Sequence, residues 1–403
     1  MTPTSIVKST LLSRLNERQV FRTIQAVGPV SRAEAARRAG ISSPTACKAI
    51  DSLLRAGLLD EGELIANVRG RPARRIGLAL DTVCVLGLVV DAGSCHVVSA
   101  RLDGLVAPKR TVQFPTPPTY DSLVKSVSAA HKRLTKRSGA RTLGMGISLP
   151  GLMDSHAQVG LLSPHVPITN GRALSLDLTE RLGIDCAMVQ ESHALCLAER
   201  HFGLAPLLDD FAVLDVSTGV GLGVISGGRL LSGHSGFAGE IGHATVLPDG
   251  PPCPCGNTGC LETVASDVAF VRSLASRLGR ELTVDEAIVL VAEGHPAALE
   301  EIARVRRYLA ICVANVVNLY NPANLFVRGR LFAENPGFLA HVIEEAKTRA
   351  LGPPMSQCTI RLGKSTKTQG AIAAIIDHLL DRLAPGIVDS SARVIPHPAR
   401  PFR

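Results

Sequence analysis

The chain has 403 residues, a net charge of +8 and a hydrophobic content of 46%. This length exceeds one ordinary domain and predicts two or three, with enough apolar residues to build large buried cores. Aromatic residues make up only 3% and Trp is absent, which argues against a site based on aromatic stacking. No run of about 18 apolar residues occurs and no apolar leader is present, so the sequence predicts neither a membrane span nor secretion.

The positive charge is concentrated near the N-terminus. Residues 1–75 contain 13 Lys and Arg against 6 Asp and Glu, a net of +7, whereas residues 76–403 carry only +1. A basic segment on a neutral body is typical of nucleic-acid binding, and a merely basic soluble domain is the alternative. We predict a DNA-binding domain over 1–76, a linker over 77–82, a body over 83–385 and a disordered Pro/Arg-rich tail over 386–403.

The first 60 residues have the spacing of a helix-turn-helix. A first helix is predicted over Leu11–Val27, and a capping box at Ser31–Glu34 opens a second helix that ends near Ala39. Gly40 begins the turn, and Ser43-Pro44 starts a third helix, because Pro is tolerated in a first turn. Such a helix reads the major groove with its N-terminal end. The predicted contacts with DNA are Ser42, Ser43, Thr45 and Lys48.

A short hairpin is predicted next, with strands at Leu64–Ile65 and Arg74–Ile76. Its tip places flexible Gly beside Arg, which suits a wing that enters the narrow minor groove. Arg69 and Arg71 are the predicted contacts, and a solvated basic turn is the alternative. The N-terminal segment is therefore predicted to be a winged helix-turn-helix.

The body contains four strand ends with unusual residues. The strand Val83–Asp91 turns through Gly93 into a partner predicted over Val97–Asp103. The strand Ile184–Val189 runs into Gln190-Glu191 and then a helix over Ala194–Phe202. The strand Phe211–Val216 precedes the glycine-rich segment 217–223, and Asn324–Val327 precedes Arg328-Gly-Arg330. Alternating glycines can approach a phosphate or let a strand pack closely, and both interpretations stay open. The helices Pro296–Tyr320 and Gly370–Leu383 are predicted to be architectural.

The most informative segment is Gly236–Glu262. It contains His243, Cys253, Cys255 and Cys260 within 18 residues, which is a donor set for tetrahedral zinc. Prolines and glycines between these residues exclude a helix face. Unligated cysteines and a disulfide are the alternatives. The disulfide is disfavoured because the other seven cysteines are scattered singly, as in a cytoplasmic protein.

Two acids flank the predicted zinc ligands. Glu240 lies three residues before His243, and Glu262 lies two residues after Cys260. A bound metal would fix both carboxylates. The ring nitrogen of His243 that the metal leaves free could donate a hydrogen bond to a ligand hydroxyl. Together these groups predict a receptor for a polyol.

The segment Gly236–Glu262 resembles the signature of the ROK family (repressors, open reading frames and kinases), whose members bind sugars beside a Cys3His zinc site. The N-terminal segment resembles the winged helix-turn-helix of the family's repressors, which its sugar kinases lack. The resemblance implies an α/β fold with a two-lobed actin-like (ribonuclease H-like) domain and a structural zinc loop. Gln190 and Glu191 then stand where the kinases have a sugar-binding Asn and a catalytic Asp, so Glu191 is a vestigial base. The implied sugar contacts are Gln190, Glu191, Glu240, His243 and Glu262.

The chain departs from the family's kinases at two phosphate-binding positions. Where the kinases resemble Asp-Ile-Gly-Gly-Thr, this chain has Ser94 and Cys95 in the last two places. Where they continue with Gly-Gly after a later strand, it has Arg328 before Gly329, and then Arg330. Added side chains and a lost hydroxyl predict that nucleotide binding has decayed. The glycines at 219–223 are retained.

We therefore predict a cytoplasmic, sugar-responsive transcriptional regulator without enzyme activity, most simply a repressor of carbohydrate-metabolism genes. Its predicted partners are operator DNA, a sugar or sugar derivative, and a second copy of itself in a homodimer or a tetramer, with Zn2+ as structural cofactor. The first alternative is an active ATP-dependent sugar kinase with an added DNA-binding segment. The second is a DNA-binding protein whose zinc loop serves only assembly.

Overall fold

The computed structural model describes residues 3–65, 73–136 and 139–383, and these form two compact units. The first unit runs up to Leu207 and resumes at Ser365, and the second runs from Leu208 to Lys364. Among the helices in these ranges, none is both long and apolar enough to cross a membrane. The predicted wing contacts Arg69 and Arg71, and the tail predicted over 386–403, lie outside the described residues.

Three helices and a two-stranded antiparallel hairpin form the N-terminal segment: α1 (Pro3–Val27), α2 (Arg32–Arg38), α3 (Ser43–Arg55), β1 (Leu59–Ile65) and β2 (Ala73–Leu78). Ser31 caps α2 and Ser42 caps α3, each by accepting a hydrogen bond from a backbone amide three residues on. Glu34 does not return the second bond of the predicted capping box, because its carboxylate pairs with Arg37 and Arg38.

The N-terminal helices share a hydrophobic core with the rest of the first unit. Phe21 and Ile24 of α1 and Ile50 of α3 are fully buried in one cluster with Val85 and Ile376. Ala79, within the predicted linker, is fully buried as well. The domain boundaries stay predictions, but the packing means that residues 77–82 are not the only connection of the N-terminal helices to the body.

The body follows in chain order. Up to residue 207 it contains β3 (Val83–Val90), β4 (Ser94–Ala100), β5 (Val106–Pro115), α4 (Tyr120–Lys136), β6 (Arg141–Leu149), β7 (Leu152–Asp154), β8 (Val159–Leu162), α5 (Leu174–Leu182), β9 (Asp185–Gln190) and α6 (Glu191–Phe202). The second unit contains β10 (Phe211–Val216), β11 (Val220–Ser226), β12 (Arg229–Leu230), α7 (Glu262–Ala265), α8 (Asp267–Leu278), α9 (Val284–Ala292), α10 (Pro296–Tyr320), β13 (Asn324–Arg328), α11 (Arg330–Ala333), α12 (Phe338–Lys347), α13 (Gly352–Gln357) and β14 (Thr359–Leu362). The helix α14 (Lys367–Arg382) returns to the first unit.

Each unit contains a five-stranded sheet of the same topology. The orders are β5-β4-β3-β6-β9 in the first unit and β12-β11-β10-β13-β14 in the second. In both, the first three strands are antiparallel and the last two run parallel to the third. The mixed α/β fold and its repeated organisation agree with the predicted class.

Several predicted elements have shifted starts. The strand β4 begins at Ser94 rather than Val97. Its first side chains alternate between partly exposed and buried, as expected for a strand, and Cys95 is one of the buried ones. The helix α6 begins at Glu191, three residues before the predicted start, so Glu191 lies in its first turn and Gln190 is its N-cap residue. By contrast, β10 and α10 have the bounds predicted for them.

Two glycines allow α14 to pack closely within the first unit. A Cβ at Gly146 of β6 would lie 1.8 Å from the carbonyl oxygen of Ala371. A Cβ at Gly370 of α14 would lie 3.0 Å from the carbonyl carbon of Ala194 in α6. Any larger residue at Gly146 would force the backbones apart, so β6, α14 and α6 are fixed against one another.

Candidate functional site

The four predicted metal ligands converge in the second unit. His243 ends a short 3-10 turn over Ile241–His243, and Cys253, Cys255 and Cys260 lie in the loop that leads to α7. One ligand atom from each residue lies within 4.8 Å of every other. This cluster can bind a metal ion, as the sequence predicted.

The separations within the cluster fit a tetrahedral ion. Cys253 Sγ lies 3.6 Å from His243 Nδ1, and Cys255 Sγ lies 3.7 Å from Cys260 Sγ. Zinc bonds of about 2.3 Å to sulfur and about 2.0–2.1 Å to nitrogen place tetrahedral ligands roughly 3.5–3.8 Å apart. Burial raises the pKa of the Cys253 thiol to about 12. Burial also acts to raise the pKa of the Cys255 thiol, but hydrogen bonds, first from the backbone at Asn257, outweigh it and lower this pKa.

The backbone of the loop restricts where these side chains can lie. Gly259 has a φ of +68°, and a Cβ there would lie 1.5 Å from the carbonyl oxygen of Leu247, so only Gly fits. The Cys253 amide donates to the carbonyl of Asn257 at 2.8 Å, which closes the turn around Cys255. These contacts orient the cysteines from a loop rather than from a helix or a strand.

Two carboxylates lie beside His243, as predicted. Glu240 Oε2 is 3.6 Å from His243 Nε2, the ring nitrogen that points away from Cys253. Glu262, the first residue of α7, places Oε1 3.8 Å from His243 Nδ1. All three side chains are partly exposed, at 29%, 33% and 23% for Glu240, His243 and Glu262. Their assignment as sugar contacts stays a prediction.

The other two predicted sugar contacts belong to the first unit. Gln190 ends β9 and is buried, and Glu191 begins α6. The ammonium group of Lys367 lies 2.6 Å from Glu191 Oε1 and 3.2 Å from Asp91 Oδ2. The pairing of this lysine with the two acids could not be predicted from the sequence, because it is far from both of them along the chain.

The segment 217–223, which resembles a phosphate loop, has acidic surroundings. Ser217 donates to Asp215 Oδ2 at 2.8 Å, and its carbonyl accepts from the amide of Asp267. Burial raises the pKa of Asp267 to about 6, and the charge of Asp215 adds to that rise. Gly221 and Gly223 lie within β11, which agrees with the structural interpretation of the glycines.

The two arginines near the end of β13 lie in different elements, since Arg328 ends β13 and Arg330 begins α11. The guanidinium of Arg330 pairs with Asp285 and, at 2.8 Å, with Glu334. Gly329 between them has a φ of +131°, and a Cβ there would lie 1.9 Å from the carbonyl oxygen of Val216. Arg330 is thus neutralised by carboxylates within its own unit.

The four predicted DNA contacts in α3 lie together at its N-terminal end. Ser42 and Ser43 are exposed, Thr45 is half-buried and Lys48 is exposed one turn further on. The hydroxyls of Ser42 and Thr45 lie 2.8 Å apart. Ile50 and Leu53 are buried on the opposite face, so the polar face of α3 points to solvent.

A buried cluster of charges joins α1, α6 and α14. The carboxylate of Asp377 in α14 lies 3.1 Å from Arg18 of α1, 2.9 Å from Arg200 of α6 and 3.3 Å from His201 of α6. Burial alone would raise the pKa of Asp377, but Arg18 and Arg200 outweigh it and hold this pKa well below its usual range. Burial lowers the pKa of His201 to about 4. Sequence reasoning missed this cluster because its members are distant along the chain.

The comparisons agree with this arrangement. Residues 88–377 match the ROK family, and the chain belongs to that family. The xylose repressor of Bacillus subtilis is 27% identical over 390 residues, which cover 94% of this chain and 99% of the repressor. A ROK family transcriptional regulator, described as a homologue of the E. coli MLC protein, has a crystal structure with a TM-score of 0.78. It is 24% identical and is matched over 92% of this chain and 97% of that one, which shows the fold.

The fold is also shared with an enzyme of the family. A ROK hexokinase from Thermus thermophilus is 27% identical with a TM-score of 0.63, and the match covers 73% of this chain and 97% of the hexokinase. The hexokinase is thus matched almost completely by part of this chain. The family alone does not separate a regulator from a kinase, so that distinction depends on the residues of the sites.

Proposed function

We propose that this protein is a sugar-responsive transcriptional repressor whose N-terminal segment is a winged helix-turn-helix. The observation that carries the proposal is the packing of a basic three-helix segment into the core of a sugar-kinase-like fold. The near-complete match to the Bacillus subtilis xylose repressor supports it. The match to the hexokinase covers only 73% of this chain, which agrees with an additional segment in this chain relative to the enzyme.

In this proposal α3 enters the major groove of operator DNA. Ser42, Ser43, Thr45 and Lys48 contact DNA from the exposed end of the helix, and Arg69 and Arg71 contact the minor groove from the wing. Two such segments in a homodimer would read two half-sites, about one or two helical turns apart. A tetramer would present two such pairs.

The effector in this proposal is a sugar or a sugar derivative. Carboxylates are good acceptors for hydroxyl groups, and the proximity of Glu240 and Glu262 to His243 supports a polyol ligand. Gln190 and Glu191 are also proposed as sugar contacts, on the basis of the family resemblance. Assembly alone would not require the acids, which disfavours the alternative in which the zinc loop serves only assembly.

The ion in the Cys3His cluster is proposed to be zinc with a structural role. His243, Cys253, Cys255 and Cys260 would complete its coordination, which leaves no open position for catalysis. Bound zinc would supply the charge that holds three thiolates together. The ring of His243 would be fixed, with Nε2 toward Glu240.

An active kinase is the alternative, and the charges near the phosphate loop oppose it. A triphosphate beside Ser217 would meet the carboxylate of Asp215, with Asp267 close behind. Arg330 is already engaged by two acids and offers little compensation. In the first unit, Glu191 is held by an ammonium group instead of being available as a base.

The first prediction tests the regulator itself with operator DNA selected from random sequence. Lys48→Ala should weaken operator binding about tenfold, because one phosphate contact is lost. The slope of log affinity against log salt concentration should become shallower by about one, which corresponds to one released ion. Fluorescence anisotropy across a salt series would measure both. Point variants are preferred to truncation, since α1 and α3 contribute to the core.

The same assay tests the sugar response. Glu240→Ala should leave operator affinity within about twofold of wild type but abolish the shift caused by the effector sugar. Lys347→Ala, on the exposed face of α12, is the matched control and should change neither quantity. A sugar that binds tightly but leaves operator affinity unchanged at every concentration would sink the regulator proposal.

The second prediction concerns the metal. Elemental analysis should find one zinc per chain, and Cys255→Ser should lose both the zinc and the sugar affinity, because the loop carrying Glu240 and His243 loses its anchor. Cys358→Ser, a half-buried cysteine outside the cluster, should keep both. Full sugar affinity in the zinc-free variant would rule out the structural role of the metal.

The third prediction separates regulator from kinase. With saturating sugar and Mg-ATP, turnover should be absent or far below the usual enzyme range of about 1–1,000 per second. A coupled assay for ADP would measure it, with an authentic sugar kinase as positive control. Turnover within that range would instead favour the kinase alternative.

A further inference from the structure

The ammonium group of Lys367 lies between two carboxylates from separate parts of the first unit. Lys367 is the first residue of α14, Asp91 follows β3, and Glu191 begins α6. Its Nζ is 2.6 Å from Glu191 Oε1 and 3.2 Å from Asp91 Oδ2. The side chain of Glu191 is only 18% exposed, so this pair is less screened than an ordinary surface ion pair.

The backbone around Lys367 is anchored to the helix that carries Glu191. Thr366 caps α14 through a capping box with Gln369. The amide of Ser365 donates to Glu199 Oε2 at 3.0 Å, and its hydroxyl donates to the carbonyl of Leu195, both within α6. Glu199 is fully buried. These contacts fix the start of α14 relative to α6 and so hold the ammonium group in place.

This arrangement differs from a typical surface pair, which contributes about 0–1 kcal/mol. One cation compensates two acids, and the backbone on both sides of the pair is already ordered. Without it, Asp91 and Glu191 would repel each other, and the Glu191 side chain would lose the partner that selects its orientation. A carboxylate that must accept a hydrogen bond from a hydroxyl needs such a fixed orientation.

We propose that Lys367 is the positioning residue of the sugar site, and that its ammonium group holds the Glu191 carboxylate for ligand binding. This inference rests on the proposed function, because it assigns a role within the proposed sugar site. It also explains how the negative charges of Asp91 and Glu191 are balanced, because the compensating ammonium group belongs to the same chain.

The test compares Lys367→Met, which keeps the length but removes the charge, with Lys367→Arg. Calorimetry with the sugar that binds wild type should show about tenfold or greater loss for Lys367→Met, in the range of a lost charged hydrogen bond. Lys367→Arg should retain most of the affinity. Lys347→Met is the surface control, and unchanged operator binding would show that each variant is folded.

A double-mutant cycle identifies the partner. In a Glu191→Gln background, Lys367→Met should cause little further loss, because the carboxylate that it positions is already gone. Wild-type affinity in Lys367→Met, or an equal loss in the Glu191→Gln background, would overturn the role of Lys367 while leaving the sugar site intact. Failure of wild type to bind any sugar would overturn the proposed function, and this inference with it.

The ion-pair cluster at Asp377 independently supports a second inference. Arg18 and Gln25 come from α1 of the N-terminal segment, while Arg200 and His201 come from the end of α6. Gln25 Oε1 lies 3.0 Å from His201 Nδ1, and Arg18 also lies 2.8 Å from Asp381 of α14. Arg200 and His201 are at most 1% exposed in their side chains.

One helix therefore connects a proposed sugar contact to the N-terminal segment. Glu191 begins α6, and Arg200 and His201 lie in its last turn, about 13–15 Å away at 1.5 Å per residue. Leu197 and Ala198 of α6 pack on Ala373 and Ala374 of α14, so the two helices move as one packed pair. A displacement at Glu191 would reach α1 through the charges at the other end.

We infer that the Asp377 cluster is the joint through which sugar binding at α6 changes the position of the DNA-binding helices. This also rests on the proposed function. It differs from coupling through residues 77–82, because it requires the contacts of α1 with α6 and α14. A buried charge cluster suits this role, because its charged side chains must remain paired both with and without bound sugar.

The test measures the ratio of operator dissociation constants with and without saturating sugar. Arg18→Met removes the link from α1 but leaves Arg200 paired with Asp377. In Arg18→Met the ratio of operator dissociation constants should move toward one by at least about fivefold. The affinity for sugar in the absence of DNA should stay within about threefold of wild type. Gln25→Leu, which removes the second contact of α1, should act in the same direction.

Arg382→Met is the matched control, because Arg382 lies in α14 but pairs with Asp185 of β9 and not with α1. It should leave the ratio unchanged. A wild-type ratio in both Arg18→Met and Gln25→Leu would overturn the joint even if sugar and operator binding are real. Loss of sugar binding itself in these variants would also contradict it.

Discussion

The carboxylate of Asp377 is the constraint on which the arrangement of the first unit depends. It is compensated by Arg18 and Arg200 from two different helices, and it lies against the fully buried ring of His201. An intact buried cluster adds little net stability, but removal of one partner typically costs about 3–5 kcal/mol. The cluster therefore specifies how the three helices pack. If α1 moved away from α6 and α14, buried charge would be left uncompensated. The N-terminal helices are thus part of the body's packing.

The zinc loop follows the opposite principle. Its shape depends on glycines and prolines whose backbone geometry few other residues can adopt, and Leu247 and Leu261 anchor it to the hydrophobic cluster of the second unit. Gly259 shows this, since its positive φ and its approach to Leu247 both exclude a side chain. A metal ion bound by His243, Cys253, Cys255 and Cys260 would cross-link the loop. The acids on either side of the loop are consequently placed by covalent and metal geometry, which suits polar ligand recognition.

The sequence was informative where function depends on residues close together in the chain. The spacing of His243, Cys253, Cys255 and Cys260 predicted the cluster that the fold assembles, and Ser31 and Ser43-Pro44 predicted two helix starts. The wider α/β class followed from the resemblance. Contacts over long chain separations were missed: nothing in the sequence pairs Lys367 with Asp91, or Arg18 with Asp377. Local patterns also misplaced the start of α6, because a helix that begins directly after a strand lacks a separate loop signal.

In the proposed repressor, charge compensation would allow a kinase-like fold to bind a ligand without reacting with it. In the first unit, Glu191 has an ammonium partner, so its carboxylate can accept a hydroxyl hydrogen bond while it is poorly suited to remove a proton. In the second unit, Asp215 and Asp267 lie near the loop where a phosphate would have to approach, and Arg330 is neutralised. Each change is small and local. Under the proposed function they would preserve the parts of the fold that hold a polyol and remove those that would stabilise transferred phosphate, so that ligand binding would act on the DNA-binding helices.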